Sequence, residues 1–236
     1  MGLGKTGFFL TLEGIDGCGK STQAAMLLRR LTDEGVAVTA TREPGGTPIG
    51  EAIRALVLNP AHRSMSAVCE ALLYAASRAQ LVHEVIVPAL KEGRVVLCER
   101  FVDSSLVYQG FGLELGQDKV AGVNQVATGG LTPDLTVYFD VEPVVGLARV
   151  KSANRGDSRR QHEQQNEQQS YAVDLVEQRH VEFHERVRRG YLELVRREPE
   201  RFRLIESDHR TPGEVGRLVW NAVWPILAER GFGRGR

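Results

Sequence analysis

Cysteine is scarce in this chain. Cys18, Cys69 and Cys98 are its only three in 236 residues, and they are scattered without metal-ligand spacing. That argues against a disulfide framework or a zinc site and for a reduced, cytoplasmic protein. Charge of one sign is missing too, since 30 basic residues balance 30 acidic ones. A non-specific nucleic-acid binder carries a basic excess, so no nucleic-acid polymer is expected as a partner. No apolar run approaches the ~20 residues that span a bilayer, and no signal-peptide pattern is present, so no membrane association is expected. Internal repeats and a second-domain linker are also absent. With 42% hydrophobic residues, positions 1–236 read as one domain able to bury a real core.

What is present alternates. FFLTL (8–12), VAVTAT (36–41), VVLCE (95–99), LTVYF (135–139) and FRLIE (202–206) are strand candidates. Between the first two, Ala24, Leu27, Leu28 and Leu31 fall at helical spacing before Gly35. Thr47-Pro48 opens a second helix, with threonine as cap and proline in the first turn. Residues 66–92 read as one long helix kinked at Pro88, and Thr211-Pro212-Gly213-Glu214 as a capping box. Strands alternating with helices predict an α/β fold, a five-stranded parallel sheet with helices on both faces. Residues 152–171, SANRGDSRRQHEQQNEQQSY, break the pattern. Polar and rich in glutamine, they can bury little surface, so they are expected to be a mobile lid or ordered only by what they bind.

Gly14-Ile15-Asp16-Gly17-Cys18-Gly19-Lys20-Ser21, followed by Thr22, matches the phosphate-loop pattern between a strand and a helix. Its glycines let backbone N–H groups curl round phosphate oxygens, and the helix adds its positive end. Lys20 is expected to reach the β and γ phosphates and the Ser21 hydroxyl to ligate Mg²⁺. The opening residues MGLGKT hold a fragment of the same motif and a loose myristoylation pattern. They lack the first glycine and the preceding strand, so they are expected to be an ordinary tail. A GTPase is not indicated: NKxD is absent, and the only DxxG runs from Asp16 to Gly19 inside the loop. A short chain with a polar, basic segment late in its sequence suits a kinase whose lid excludes water, sending phosphate to an acceptor. Cys18 asks only for modest bulk in the loop; Cys69 and Cys98 are expected in the core.

Four blocks, EGIDGCGKST, TREPGGTPIGE (41–51), LLYAASRAQ (72–80) and ERFVDSSLVYQG (99–110), resemble those of bacterial thymidylate (dTMP) kinases in order and separation. PDLTVYFDVEP (133–143) and EFHERVRRGYLEL (182–194) extend the resemblance to roughly residues 8 to 226. It implies a P-loop nucleoside monophosphate kinase fold, ATP and dTMP as ligands with Mg²⁺, and a homodimer. By the same resemblance Arg100 holds the dTMP phosphate, a task suited to a guanidinium fork. Arg42 and Glu43 flank that phosphate and its sugar, and Asp16 lies near the 3′-hydroxyl and the metal shell. Tyr74 stands in the usual phenylalanine position to stack on thymine, and Arg78, one helical turn on, would hydrogen-bond the base. Ser105, Tyr108 and Gln109 would read the base edge and crowd out a ribose hydroxyl. Glu99, where the family has aspartate, would touch the metal through water. Arg149 and Ser207 would border the adenine.

The sequence departs from the family in three places. FGLELG replaces the GRG-type stretch after YQG, which with Tyr74 leaves a shifted acceptor preference open. Position 17 is glycine, so the arginine facing the migrating phosphoryl group should come from the lid, approximately residues 152–177. There Leu175 stands where the D-R-x-E pattern wants arginine. That and Glu99 leave an impaired nucleotide-binding homologue open. A different gap placement makes Arg159 the lid arginine, with Arg155 and Arg160 as rivals. Such a group is worth ~10³–10⁵ in rate in related chemistry. Arg159→Ala should lower kcat by at least ~100-fold while sparing dTMP binding; steady-state kinetics showing a loss under about threefold would assign the role elsewhere.

Overall fold

The computed structural model describes residues 7–161, 176 and 179–233, with the backbone alone over 153–161. Five parallel strands form one sheet in the order β2-β3-β1-β4-β5. They are β1 (Phe8–Glu13), β2 (Val38–Arg42), β3 (Val95–Glu99), β4 (Leu135–Asp140) and β5 (Phe202–Glu206). Every residue of the central β1 is buried, whereas the outer β2 and β5 carry half-buried and exposed positions. A parallel strand covered on both faces needs apolar groups on each, and FFLTLE supplies them for its first half.

The helices bracket the sheet. On one face Phe8, Leu10 and Leu12 pack with Leu27 and Leu31 of α1 (Lys20–Asp33), Val187 and Tyr191 of α8 (Val181–Arg197), and Val219 and Val223 of α9 (Pro212–Glu229). On the other, Phe9, Val96 and Cys98 meet Leu81, the last residue of α3 (Ala67–Leu81), and Leu90 of α4 (Val87–Lys91). Each such side chain contributes roughly 1.5–3 kcal/mol by leaving water. The strand's period of two puts Thr11 and Glu13 on the Phe9 side, both fully buried.

Three details differ from expectation. β2 begins at Val38 because Gly35 and Val36 finish α1: the Gly35 N–H donates to the Thr32 carbonyl at 2.9 Å, and the Val36 N–H to Leu31 at 3.0 Å. Gly35 has φ 80°, so this is a Schellman closure. The 66–92 helix is divided by a π-helical turn at Val82–Ile86, where the Val87 N–H reaches the Val82 carbonyl five residues back. Pro88 has no N–H to continue the ordinary ladder. Cys69 is exposed, not core. Ser66 caps α3 by accepting the Cys69 N–H at 3.2 Å, which leaves Cys69 in the first turn beside exposed Val68.

The capping box forms as expected: the Thr211 hydroxyl accepts the Glu214 N–H, and Glu214 accepts the Thr211 N–H at 2.7 Å. Helix α7 (Pro143–Gln161) takes in the backbone of the first ten residues of the polar segment. The expectations for residues 1–6 and for 162–171 lie outside the described residues, as does Leu175.

One buried ion pair stands apart from the cleft. Arg201 donates from both terminal nitrogens to Asp103, at 2.7 and 2.9 Å, and to the Thr136 hydroxyl at 2.8 Å. Asp103 is fully buried, so removing its partner strands a charge away from water. Arg201→Ala should cost about 3–5 kcal/mol in urea unfolding; a change below about 1 kcal/mol would show that water reaches Asp103.

Candidate active site

Parallel register brings the carboxyl ends of β1 and β3 to the same edge, with Leu12 opposite Glu99. Two chain reversals follow there. The first is the phosphate loop. Gly19, in the left-handed region at φ 99°, precedes α1. Lys20 folds back over the loop, its Nζ donating to the Gly14 and Ile15 carbonyls at 2.9 Å each, with the Cys18 Sγ at 3.5 Å. Gly17 has φ 77°, and a Cβ there would lie 2.0 Å from the Gly146 carbonyl oxygen of α7. No side chain fits at position 17.

The second reversal is at Arg100, whose backbone is also left-handed, with φ 66°. Its guanidinium pairs with Asp16 at 2.5 Å and donates to the Gly14 carbonyl at 3.1 Å and the Ser104 hydroxyl at 3.2 Å. It also lies over the Tyr108 ring, 4.9 Å from the centroid. Burial pushes the Asp16 carboxyl up, but the Arg100 and Lys20 charges outweigh it and hold the group below its ordinary value.

Two cavities meet at this point. The larger, about 620 Å³, runs from the phosphate loop, including Thr22, to Arg149, Ser207 and Arg210. Arg149 bridges its far end, donating to the Gly17 carbonyl at 3.4 Å and the Ser207 carbonyl at 3.2 Å. The smaller, about 90 Å³, is lined by Tyr74, Ser105, Tyr108, Gln109, Leu58 and Val176 among others. Asp16, Glu43, Arg54 and Arg100 line both. On the wall of the larger cavity Ser21 donates to Glu99 Oε2 at 2.7 Å. These are hard oxygen donors of the kind Mg²⁺ takes. Among the described residues no group of three His, Cys, Asp or Glu could form a closed protein cage.

Arg78 and Glu43 come together more tightly than sequence reasoning expected. Arg78 is buried, with Nε and Nη2 on the Glu43 carboxylate, Nη1 on the Ser105 hydroxyl at 3.0 Å and on Asn124 Oδ1 at 2.5 Å, and Nη2 also on the Phe101 carbonyl at 3.0 Å. All five of its N–H donors are thus engaged within the protein. Burial pushes the Glu43 carboxyl up to about 7, against the pull of Arg78. Arg42 sits at the rim of the larger cavity, half-exposed, paired with Glu51 at 2.9 Å. Gln109 is turned to Glu70 at 3.0 Å, and Glu70 in turn meets Arg179. The side chains of Arg155, Arg159 and Arg160 lie outside what is described.

Sequence reasoning missed Arg54, which faces both cavities and donates to the Pro44 carbonyl at 2.9 Å. Its signal was position: on α2 (Pro48–Val57) it shares a face with the buried Gly50 and Val57. A π-helical turn at Leu106–Gly112 was missed as well. It buries Tyr108 and Gln109 against the smaller cavity, as π turns often do at functional sites.

A family profile described as Thymidylate kinase matches residues 12–215. The chain is 44% identical over 227 residues to the thymidylate kinase of Symbiobacterium thermophilum, across 96% of this chain and 97% of that one. Against the thymidylate kinase of Deinococcus radiodurans it is 46% identical over 225 residues, covering 95% and 98%. The crystal structure of thymidylate kinase from Ehrlichia chaffeensis superposes with TM-score 0.69 at 27% identity, over 92% of this chain and 98% of that one.

Proposed function

The chain belongs to the thymidylate kinase family, and from that premise we infer that it moves the γ-phosphoryl group of ATP to dTMP, giving ADP and dTDP. One observation carries the reading at the level of the site: two cavities that share Asp16, Glu43, Arg54 and Arg100. ATP occupies the larger, its phosphates in the loop of residues 14–22 and its adenine beside Arg149 and Ser207. The acceptor occupies the smaller, its base against Tyr74 and its phosphate at Arg100. At about 90 Å³ that cavity is under the ~300 Å³ of an ordinary ligand site, so dTMP displaces part of its lining.

Phosphoryl transfer through a loose transition state asks for positioning and charge neutralisation rather than covalent help. The acceptor phosphate, with its second pKa near ~6, is largely dianionic at neutral pH, so no general base is needed. Lys20 leaves its loop carbonyls for phosphate oxygens. Arg100 and Arg54 bring positive charge to the place where two anions meet. Ser21 and Glu99, with Asp16 beside them, would hold Mg²⁺, which when bound neutralises charge on the β and γ phosphates. The absence of space at position 17 supports a lid arginine, Arg159 in our reading. The three cysteines are free thiols, and no helix of the described residues is long and apolar enough to cross a membrane. The free thiols support a reducing, cytoplasmic location, which cell fractionation would check.

A coupled ADP-release assay over dTMP, dUMP, dGMP, dCMP and thymidine tests the reaction. Turnover should be fastest with dTMP and should stop on chelation of Mg²⁺. A different best acceptor, or binding of dTMP without turnover, would overturn the reading. A homodimer is supported by exposed Val68 and Leu72 on α3 and Val126, 86% exposed, on the adjacent α6 (Gln117–Thr128). Sedimentation equilibrium should give twice the 26.1 kDa chain mass; a monomer at micromolar concentration would rule the dimer out.

A further inference from the structure

Glu13, the last residue of β1, is fully buried yet lines neither cavity. Its partners trace a path to Arg100. The Arg100 N–H still follows the strand ladder, donating to the Leu12 carbonyl at 2.9 Å. At the next residue a side chain takes over: the Phe101 N–H donates to Glu13 Oε1 at 2.7 Å. This exchange falls where the backbone of Arg100 enters the left-handed region, which a side-chain-bearing residue keeps only when its surroundings hold it there.

The other carboxylate oxygen holds the side chain of Arg100 at one remove. Glu13 Oε2 accepts the Ser104 hydroxyl at 2.6 Å and the Tyr191 hydroxyl at 2.7 Å. With its proton committed to Glu13, the Ser104 oxygen presents lone pairs and accepts Arg100 Nη1 at 3.2 Å. Among the described residues no cation is paired directly with Glu13. Its three acceptances come from a backbone amide and two hydroxyls, all neutral donors aimed at one buried carboxyl.

We propose that Glu13 is a positioning residue for dTMP phosphate recognition, fixing both the backbone turn and the guanidinium direction of Arg100 through Phe101, Ser104 and Tyr191. The inference rests on the reading of Arg100 as the group that holds the acceptor phosphate. Glu13→Gln keeps size and one acceptor, but its amide N–H₂ must donate where the carboxylate accepted. Ser104 then loses the arrangement that leaves its lone pairs free for Arg100.

The test compares dTMP with thymidine, which differ by the phosphate alone. In Glu13→Gln, dTMP binding measured by calorimetry should weaken roughly 3- to 30-fold, the range for one or two compromised buried hydrogen bonds. Thymidine binding and the KM for ATP should change less than about twofold. Tyr191→Phe, which removes one donor to Glu13 and lines neither cavity, should reproduce a smaller selective loss if Glu13→Gln fails to fold. Equal weakening of dTMP and thymidine would mean a merely structural role and overturn the proposal, as would unchanged dTMP affinity in both variants. Arg100→Ala serves as the reference. If it fails to separate dTMP from thymidine, the acceptor-site reading is at fault; if it separates them and Glu13→Gln does not, Glu13 is.

Discussion

Side-by-side parallel pairing of β1 with β3 is the constraint from which the site follows. With Leu12 opposite Glu99, the two strands end level, so the loop after one and the turn after the other emerge at one edge. That places Gly14 and Asp16 within hydrogen-bonding reach of Arg100 across 84 to 86 residues of chain. An offset of one residue would turn Glu13 and Thr11 to the other face of the sheet and dissolve the meeting. Ligands gather at the carboxyl edge of open α/β sheets for this reason.

Around that edge the charges are arranged in two layers. Nearest the ligands, Lys20, Arg54, Arg100 and Arg149 face the cavities, each resting on backbone carbonyls. Carbonyl oxygens are weak holds for a cation, so Lys20 and Arg149 can be drawn onto phosphate without breaking an ion pair of the described residues, whereas Arg100 must loosen its hold on Asp16. Behind them, Arg78 with Glu43 and Arg201 with Asp103 are sealed by full complements of partners. Those pairs are costly to break and give the wall its shape. Asp16 belongs to both layers, since it is the carboxylate that Arg100 must share with any incoming anion.

Much of this was legible beforehand. Five apolar runs marked five strands, and the glycine spacing with its strand and helix marked the phosphate loop, because both signals are local. Resemblance supplied Arg100, Tyr74 and Tyr108, and the structure puts all three about the smaller cavity. The rest depended on packing. A π turn needs one residue's shift in hydrogen bonding, and neither Val82–Ile86 nor Leu106–Gly112 carries a sequence pattern for it. Cys69 was misplaced because cysteine is usually buried, whereas capping by Ser66 decides which way this helix start faces. The convergence of Glu43, Ser105 and Asn124 on Arg78 shows only in the tertiary fold.

The contact between Gly17 and Gly146 has a mechanical consequence. The nucleotide cradle and the helix whose backbone runs on to Gln161 press bare backbone against bare backbone, with no side chain between them to flex. Such a joint has no slack. If filling the cradle alters the path of its backbone, the helix must pivot with it or part from it, and its far end travels farther than its root.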